Sequence, residues 1–364
     1  MARLASGPAP DTLRLTDKEA PIMKTSASTL GLALLGSSLL LGLSGCRVEA
    51  KSTKEFLGDE VTQTPAYAAG KNITISGVNG GIRVVPGVAG NVRVTFSPFS
   101  IRGYDEDKEA VAEMQNNLTM SAATDANGDV VITTDRNGGS TGLGAKIEVA
   151  IPPELAGRLS VTQGNGDVHV QTAAAATRLN VDNNGAGSVT AACGSSFAGE
   201  IRIQNEAGDV AVGSVGSATL VEIQNPGTGD CVLDGYPTIT NSTIHCGWDI
   251  SVSNVSDHVD IVSTNTLDAT VTVSIAGISD TTTGGSVNLT SGQVNLTMPQ
   301  TENYALTAQA NGGLVNLGTP PAGCTTAETS PGSKSMTCQS GGPTYAVVAG
   351  DASGNVGNIT VGYR

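Results

Sequence analysis

The side chains best placed to do chemistry in this sequence are aspartates at turns. Asp129, Asp167, Asp209 and Asp230 each follow a glycine directly, and Asp249 follows Trp248. Stacked in register, such carboxylates could serve two ends. Aspartate in a turn accepts hydrogen bonds from backbone two residues on, which fixes the turn. Rows of carboxylates beside turn carbonyls also suit calcium, a hard cation that takes oxygen ligands. The ladder Asp167, Ser188, Asp209 and Asp230 breaks its carboxylate row at Ser188, and its glycines do not follow the Gly-Gly-x-Gly-x-Asp calcium repeat. Turn chemistry is therefore the expected role, with calcium as the rival. The other candidates are thin. His169, His245 and His258 are scattered, and Asp105, Glu106 and Asp107 adjoin at a predicted helix start, where carboxylates complement the dipole. No nucleophile elbow, phosphate loop or metalloprotease helix is present. The expectation is a protein that is not an enzyme, with no catalytic residue and no metal.

The elements that carry these aspartates repeat. Gly166-Asp167-Val168, Gly187-Ser188-Val189, Gly208-Asp209-Val210 and Gly229-Asp230-Cys231 recur every 21 residues. Each unit closes on a second alternating segment: Leu179-Asn180-Val181, Ile201-Arg202-Ile203, Val221-Glu222-Ile223, then Thr243-Ile244. These segments are expected to end in turns at Asn183-Asn184, Gln204-Asn205, Gln224-Asn225 and Cys246-Gly247. Period-two alternation marks strands with one buried face. A fixed period near 20 residues marks stacked units that cover one another. The pattern drifts to 19-residue steps at Asp249 and Asp268, and its turn-then-strand form recurs upstream at Asn79–Val84 and Asn127–Ile132. The fold class expected is all-β, a β-solenoid with rungs of about 19–21 residues stacked about 4.8 Å apart. An antiparallel β-sandwich is the alternative. One helix is predicted near 105–118, where Ala110, Val111, Met114 and Leu118 recur at helical spacing, and it would cap one end of the stack.

Of six cysteines, five lie beyond residue 46. Cys324 and Cys338 bracket a polar stretch with no core of its own, so a bridge there would hold it closed. Cys231 and Cys246 belong to one rung and can meet across it. Cys193 and Cys231 lie two rungs apart, roughly 10 Å, which exceeds the reach of a disulfide. Cys193 is accordingly expected to be a buried free thiol. No CxxC or HxxxH spacing suggests zinc.

The apolar run from Leu30 to Leu43 follows Lys24 and closes on Leu43-Ser44-Gly45-Cys46. A charged residue, an apolar stretch and small residues form the order of an export signal. The run holds too few apolar residues to read as a membrane span. Leu43-Ser44-Gly45-Cys46 resembles the lipobox of bacterial lipoproteins. The resemblance implies cleavage before Cys46, a covalent lipid on that cysteine, and attachment to a membrane. Arg47 stands where many Gram-negative inner-membrane lipoproteins carry Asp, so the destination implied is the outer membrane, on its periplasmic or its surface side. The organisation expected is a non-physiological extension over 1–22, with translation starting at Met23, and a signal peptide over 23–45. A flexible tether over 46–70, a repeat domain over 71–300 and an irregular cap with a disulfide loop over 301–364 would follow.

Three further segments carry a second resemblance: Val78-Asn79-Gly80-Gly81-Ile82-Arg83-Val84, Ile147–Pro153, and Val161-Thr162-Gln163-Gly164-Asn165-Gly166-Asp167-Val168. With the acidic helix they resemble a bacterial adhesin-like envelope family, a domain of unknown function built from β-strand repeats. The match covers roughly residues 70–290. It implies a surface role and transfers no catalytic residue.

Charge narrows the partners. The chain has a formal net charge of −14 and a pI near 4.5, which argues against nucleic acid and anionic lipid surfaces, both of which require basic patches. With 47 glycines and only one tryptophan, four phenylalanines and six tyrosines, the core must be assembled from small and β-branched side chains. The function expected is a structural or adhesive envelope lipoprotein, non-catalytic, meeting a surface protein or a glycan. The alternatives are a carbohydrate-binding module or polysaccharide-acting solenoid enzyme, for which Trp248 is the stacking candidate, and a passive periplasmic scaffold.

Overall fold

The alternation of apolar and polar residues becomes the alternation of buried and exposed ones. In the strand Arg178–Ala186, Leu179, Val181 and Asn183 point inward while Arg178, Asn180 and Asp182 point out. The computed structural model describes residues 54–364 apart from 103–106, 195–196, 216–217, 235–238, 240, 280–282 and 340. The lipobox residues Leu43, Ser44, Gly45 and Cys46 lie outside the described residues, as do Asp105 and Glu106. Among the described residues there are 28 strands and one helix, and no helix is long and apolar enough to cross a membrane.

The strands form two 14-stranded sheets, each parallel through its centre. Every rung contributes one strand to each sheet. In the first sheet Val168, Val189, Val210, Cys231, Ile250, Val271, Val294 and Ile359 lie on one line. In the second, Val161, Val181, Ile203, Ile223, Ile244, Ile261 and Val287 do the same. One core cluster runs through these rows. Burying each such side chain contributes about 1.5–3 kcal/mol, so many medium-sized residues replace the aromatic core that the composition lacks. The chain is a β-solenoid, not an antiparallel sandwich, because consecutive rungs pair in parallel.

The chain doubles back at both ends of the stack. The first rung, Ile73–Gly77 with Ile82–Pro86, lies inside the later strands Val130–Arg136 and Leu143–Ile151. The last rung, Thr344–Ala349 with Gly357–Tyr363, lies inside Tyr304–Ala310 and Val315–Asn316. Neither terminal rung can peel away without first displacing the strand outside it. Where an irregular cap with a disulfide loop was expected over 301–364, four strands (Tyr304–Ala310, Val315–Asn316, Thr344–Ala349 and Gly357–Tyr363) continue the ladder, and a disulfide-closed antiparallel hairpin pairs at its edge.

The helix spans Asp107–Asn117 and buries Ala110 and Met114. Val111, expected on the same face, is exposed. The carboxylate of Glu113 fastens the helix to the sheet by accepting from Ser100 Oγ at 2.9 Å and Ser140 N–H at 2.8 Å.

The expected 19-residue step from Asp249 to Asp268 is corrected by the register. Ile250 pairs with Val271, a step of 21, which sets Thr270 rather than Asp268 above Asp249. The extra residues enter the turn before the strand, where no ladder constrains their number.

Candidate functional site

At the turn positions Asp167, Ser188, Asp209 and Asp230, hydrogen bonds run between rungs. Asp167 Oδ1 accepts from Ser188 N–H at 2.8 Å, and Asp209 Oδ1 from Asp230 N–H at 3.0 Å. Asp230 Oδ1 accepts from Asp249 N–H at 3.3 Å, and Asp249 Oδ1 from Thr270 N–H at 2.7 Å. Each carboxylate therefore ties its turn to the turn of the following rung, where the sequence pointed to a partner two residues on. Asp230 has its carboxyl pushed above the usual range by partial burial and by the charges of Asp249 and Asp209. Asp129 differs: both its oxygens bind Asn72, at 2.9 Å to the backbone N–H and 3.0 Å to the side-chain amide. Those bonds hold its carboxyl below the usual range.

A second ladder lies inside. Gln163, Asn183, Asn205 and Asn225 are fully buried, two residues past the inward-facing Val161, Val181, Ile203 and Ile223. Asn183 Nδ2 donates to Asn205 Oδ1 at 2.7 Å, and Asn205 Nδ2 to Asn225 Oδ1 at 3.4 Å. The same amides donate to the turn carbonyls: Asn183 to Gly187 O at 3.1 Å, Asn205 to Gly208 O at 2.9 Å, Asn225 to Gly208 O at 3.0 Å. These turns come close enough that a Cβ at Gly208 would sit 2.5 Å from Gly187 O, at a φ of +99°. Glycine is required there on both counts. Asn183, Asn205 and Asn225, expected at turns, thus lie within strands. They lie on the inward parity of their strands and satisfy backbone that the tight turns would otherwise leave unpaired.

The ladder continues into sulfur. Cys246 follows Asn225 in register, and Cys231–Cys246 form a disulfide across one rung. Cys324–Cys338 form the second disulfide, and Cys193 is buried and free. Burial alone pushes the Cys193 thiol up to about 12.

On the outer wall of the second sheet, Arg178 meets Glu200 at 2.6 Å, and Arg202 meets Glu200 at 3.6 Å and Glu222 at 2.8 Å. Of the histidines, His258 alone joins a polar cluster. Its Nε2 lies 2.8 Å from Asp260 Oδ2, and Ser286 Oγ donates to Asp260 Oδ1 at 2.9 Å. Nucleophilic catalysis places the histidine between serine and carboxylate. Here Asp260 stands between His258 and Ser286, so the imidazole does not reach the Ser286 proton; its other nitrogen, Nδ1, is engaged by Gly284 O and lies 3.4 Å from the Thr283 hydroxyl. An apolar recess of about 560 Å³ lies at the helix end, bordered by Leu57, Val61, Pro98, Val111 and Met120. Among the described residues no three His, Cys, Asp or Glu side chains converge as metal ligands. Trp248 is exposed on its turn.

The family profile Toastrack DUF4097 matches residues 71–361. The chain belongs to that family. The Toastrack domain accordingly takes in nearly all the rungs described above, the doubled-back last rung included. Among solved structures, the chain is similar to a candidate adhesin from Bacteroides fragilis, at 15% identity and a TM-score of 0.36, over 83% of this chain and 97% of that one. A candidate cell adhesion protein from Clostridium sporogenes is 9% identical with a TM-score of 0.19, over 84% of this chain and 100% of the other. No curated protein matches the chain.

Proposed function

We propose that this Toastrack protein is a cell-envelope rod, held to a membrane by a lipid on Cys46, whose solenoid walls serve a structural or adhesive role without catalysis. The observation that carries this reading is where the polar groups are used. Carboxylates of the turn ladder bind neighbouring turns, buried amides bind turn carbonyls, and the outer Arg–Glu row pairs with itself. Such groups stiffen a scaffold, and none converges on a point where a substrate could react. Two long walls whose outward rows are mostly polar, such as Asn180, Arg202, Glu222 and Thr243, instead offer many contacts to a protein or glycan surface, which favours adhesion by area.

The test is to add protease to intact cells making the protein and to follow the domain, alongside a Cys46→Ala variant. Degradation of the anchored domain, with loss of the variant from the membrane fraction, supports a surface adhesive role. Protection until the outer membrane is breached assigns the rod to the periplasm and sinks the adhesive reading. Membrane retention of the variant sinks the lipid anchor.

A further inference from the structure

Three of the four sheet ends are blunted. The first sheet ends in Lys54–Leu57, four residues long with Lys54 and Glu55 in it, and in the two-residue strand Val315–Asn316. The second sheet begins with Leu118–Thr124, whose edge is covered by Gln63: its Oε1 accepts from Ala122 N–H at 2.6 Å and its Nε2 reaches Met120 O at 3.5 Å. Short, charged or capped edges are how sheet proteins avoid pairing with other chains.

The fourth end is longer and uncapped: its one charge, Glu328, is paired with Lys334 within its own hairpin, and its register shift falls beyond Glu328. Cys324–Ser330 is the outermost strand of the second sheet, and every residue after Cys324 is exposed. It pairs only with Ser333–Cys338, antiparallel, and the Cys324–Cys338 disulfide latches that hairpin. Bonded and non-bonded pairs alternate along such a ribbon. Gln339 N–H donates to Gly323 O at 3.1 Å, so Thr325–Thr337 and Ala327–Ser335 are the next bonded pairs. Thr326 and Glu328 therefore turn their N–H and C=O groups away from the hairpin. Cys324 does so with its carbonyl, while its N–H donates to Pro321 O at 3.2 Å.

We propose that this edge is an interface between two copies of the chain, paired antiparallel about a two-fold axis at Thr326. Each Thr326 exchanges N–H and C=O with its equivalent, and each Glu328 N–H donates to the carbonyl of the partner's Cys324. Four backbone hydrogen bonds result, all from groups that the monomer leaves outward. The side chains permit this: Thr326 faces itself, Thr325 faces the partner's Ala327, and Thr–Thr and small-residue pairs favour close strands. No like charges meet, because Glu328 is paired 3.2 Å from Lys334 within its own hairpin. The disulfide fixes the ribbon before association and so reduces the ordering cost. The product is a tail-to-tail dimer of two rods with a continuous second sheet, self-complementary as a two-fold interface must be.

Sedimentation equilibrium of the full chain carrying Cys46→Ala tests this, alongside added Thr326→Pro and Thr326→Lys. Proline removes an N–H that no group of the monomer uses, and lysine sets two like charges on the axis. A concentration-dependent dimer is expected, weakened about thirty-fold by Thr326→Pro through the loss of two hydrogen bonds and abolished by Thr326→Lys. Hydrogen exchange of the Thr326 and Glu328 amides should slow as concentration rises. A chain that stays monomeric throughout, or a dimer that persists in Thr326→Lys with its hairpin disulfide intact, overturns the proposal.

Discussion

Asn183 and Asn205, twenty-two residues apart in sequence, share a 2.7 Å hydrogen bond between side-chain amides buried inside the solenoid. Asn205 passes the contact on to Asn225 and also donates to Ala207 O and Gly208 O. The row connects each rung to the next and each strand to its own turn. In a core where water cannot replace a lost partner, such a row is expensive to break at its middle.

Asn205→Ala should therefore destabilise the domain by about 2–3 kcal/mol, because it removes the acceptor of one Asn183 N–H and the donor to Asn225 Oδ1 at once. Urea denaturation followed by circular dichroism measures this as a lower midpoint. Asn184→Ala, at the exposed neighbour, should change the midpoint little. Equal effects at the two positions would show that the buried row is not what holds the turns.

The contrast between Asn183 and Asn184 also marks what the sequence could convey. The 21-residue glycine period and the Val/Ile alternation suffice for the solenoid, because register in a stacked fold is set by inward residues that recur in sequence. Asn183, Asn205 and Asn225 were legible too: each stands two residues past an inward Val or Ile, and parity alone turns it inward. Paired amides at the end of an alternating segment usually mean a turn, and that local rule opposed the parity. The doubled-back rungs at either end were not legible, since Ile73–Gly77 pairs with Val130–Arg136 across some 50 residues that follow no period. Nor was the exposed edge at Thr326, which depends on which strand ends outermost.

The carboxylates should titrate with opposite effects on stability. Asp230 has a raised carboxyl, so its contribution is full below the unfolded value of about 4 and is lost as pH rises through the folded one. Asp129 and Asp351 are lowered by hydrogen bonds from Asn72 and Asn355. Their contributions are full above about 4 and are lost as pH falls through the folded values. Asp230→Asn keeps an oxygen for the Asp249 N–H and removes the charge repulsion. It should melt higher than the parent at pH 7, and the gain should vanish below about pH 4. Asp129→Asn should melt lower at pH 7, with the gap closing in acid. Melting temperatures from pH 3 to 7.5 check both, and a gain for Asp230→Asn that persists at pH 3 would refute the repulsion account.

Cys193 should be silent to thiol reagents in the folded protein. Its thiol is buried and pushed up to about 12, and the thiolate is the reactive form. In the Cys46→Ala chain, a chromogenic disulfide reagent should find no thiol natively, one after unfolding without reductant, and five after unfolding with reductant. Rapid native reaction would place Cys193 at the surface and overturn the rung register around it.

The two disulfides close loops of similar length, with sequence separations of 15 and 14, and the chain-entropy account gives each about 3 kcal/mol. Their positions should separate them. Cys231 and Cys246 are buried in the middle of the stack, where each rung depends on its neighbours. Replacing both by alanine should lower the main melting transition and raise hydrogen exchange in the flanking strands Val210–Val215 and Ile250–Ser256. Cys324 and Cys338 join an edge ribbon that pairs with one further strand, Tyr304–Ala310, and reaches the core through Met336 and Cys338 at the end of the stack. Their replacement should leave the main transition within about 1 °C, since local opening there lies far below the global free energy, while exchange rises across Cys324–Cys338 alone. If the edge pair lowers the main transition as much as the central pair, the hairpin belongs to the cooperative core and the stack has no weak end.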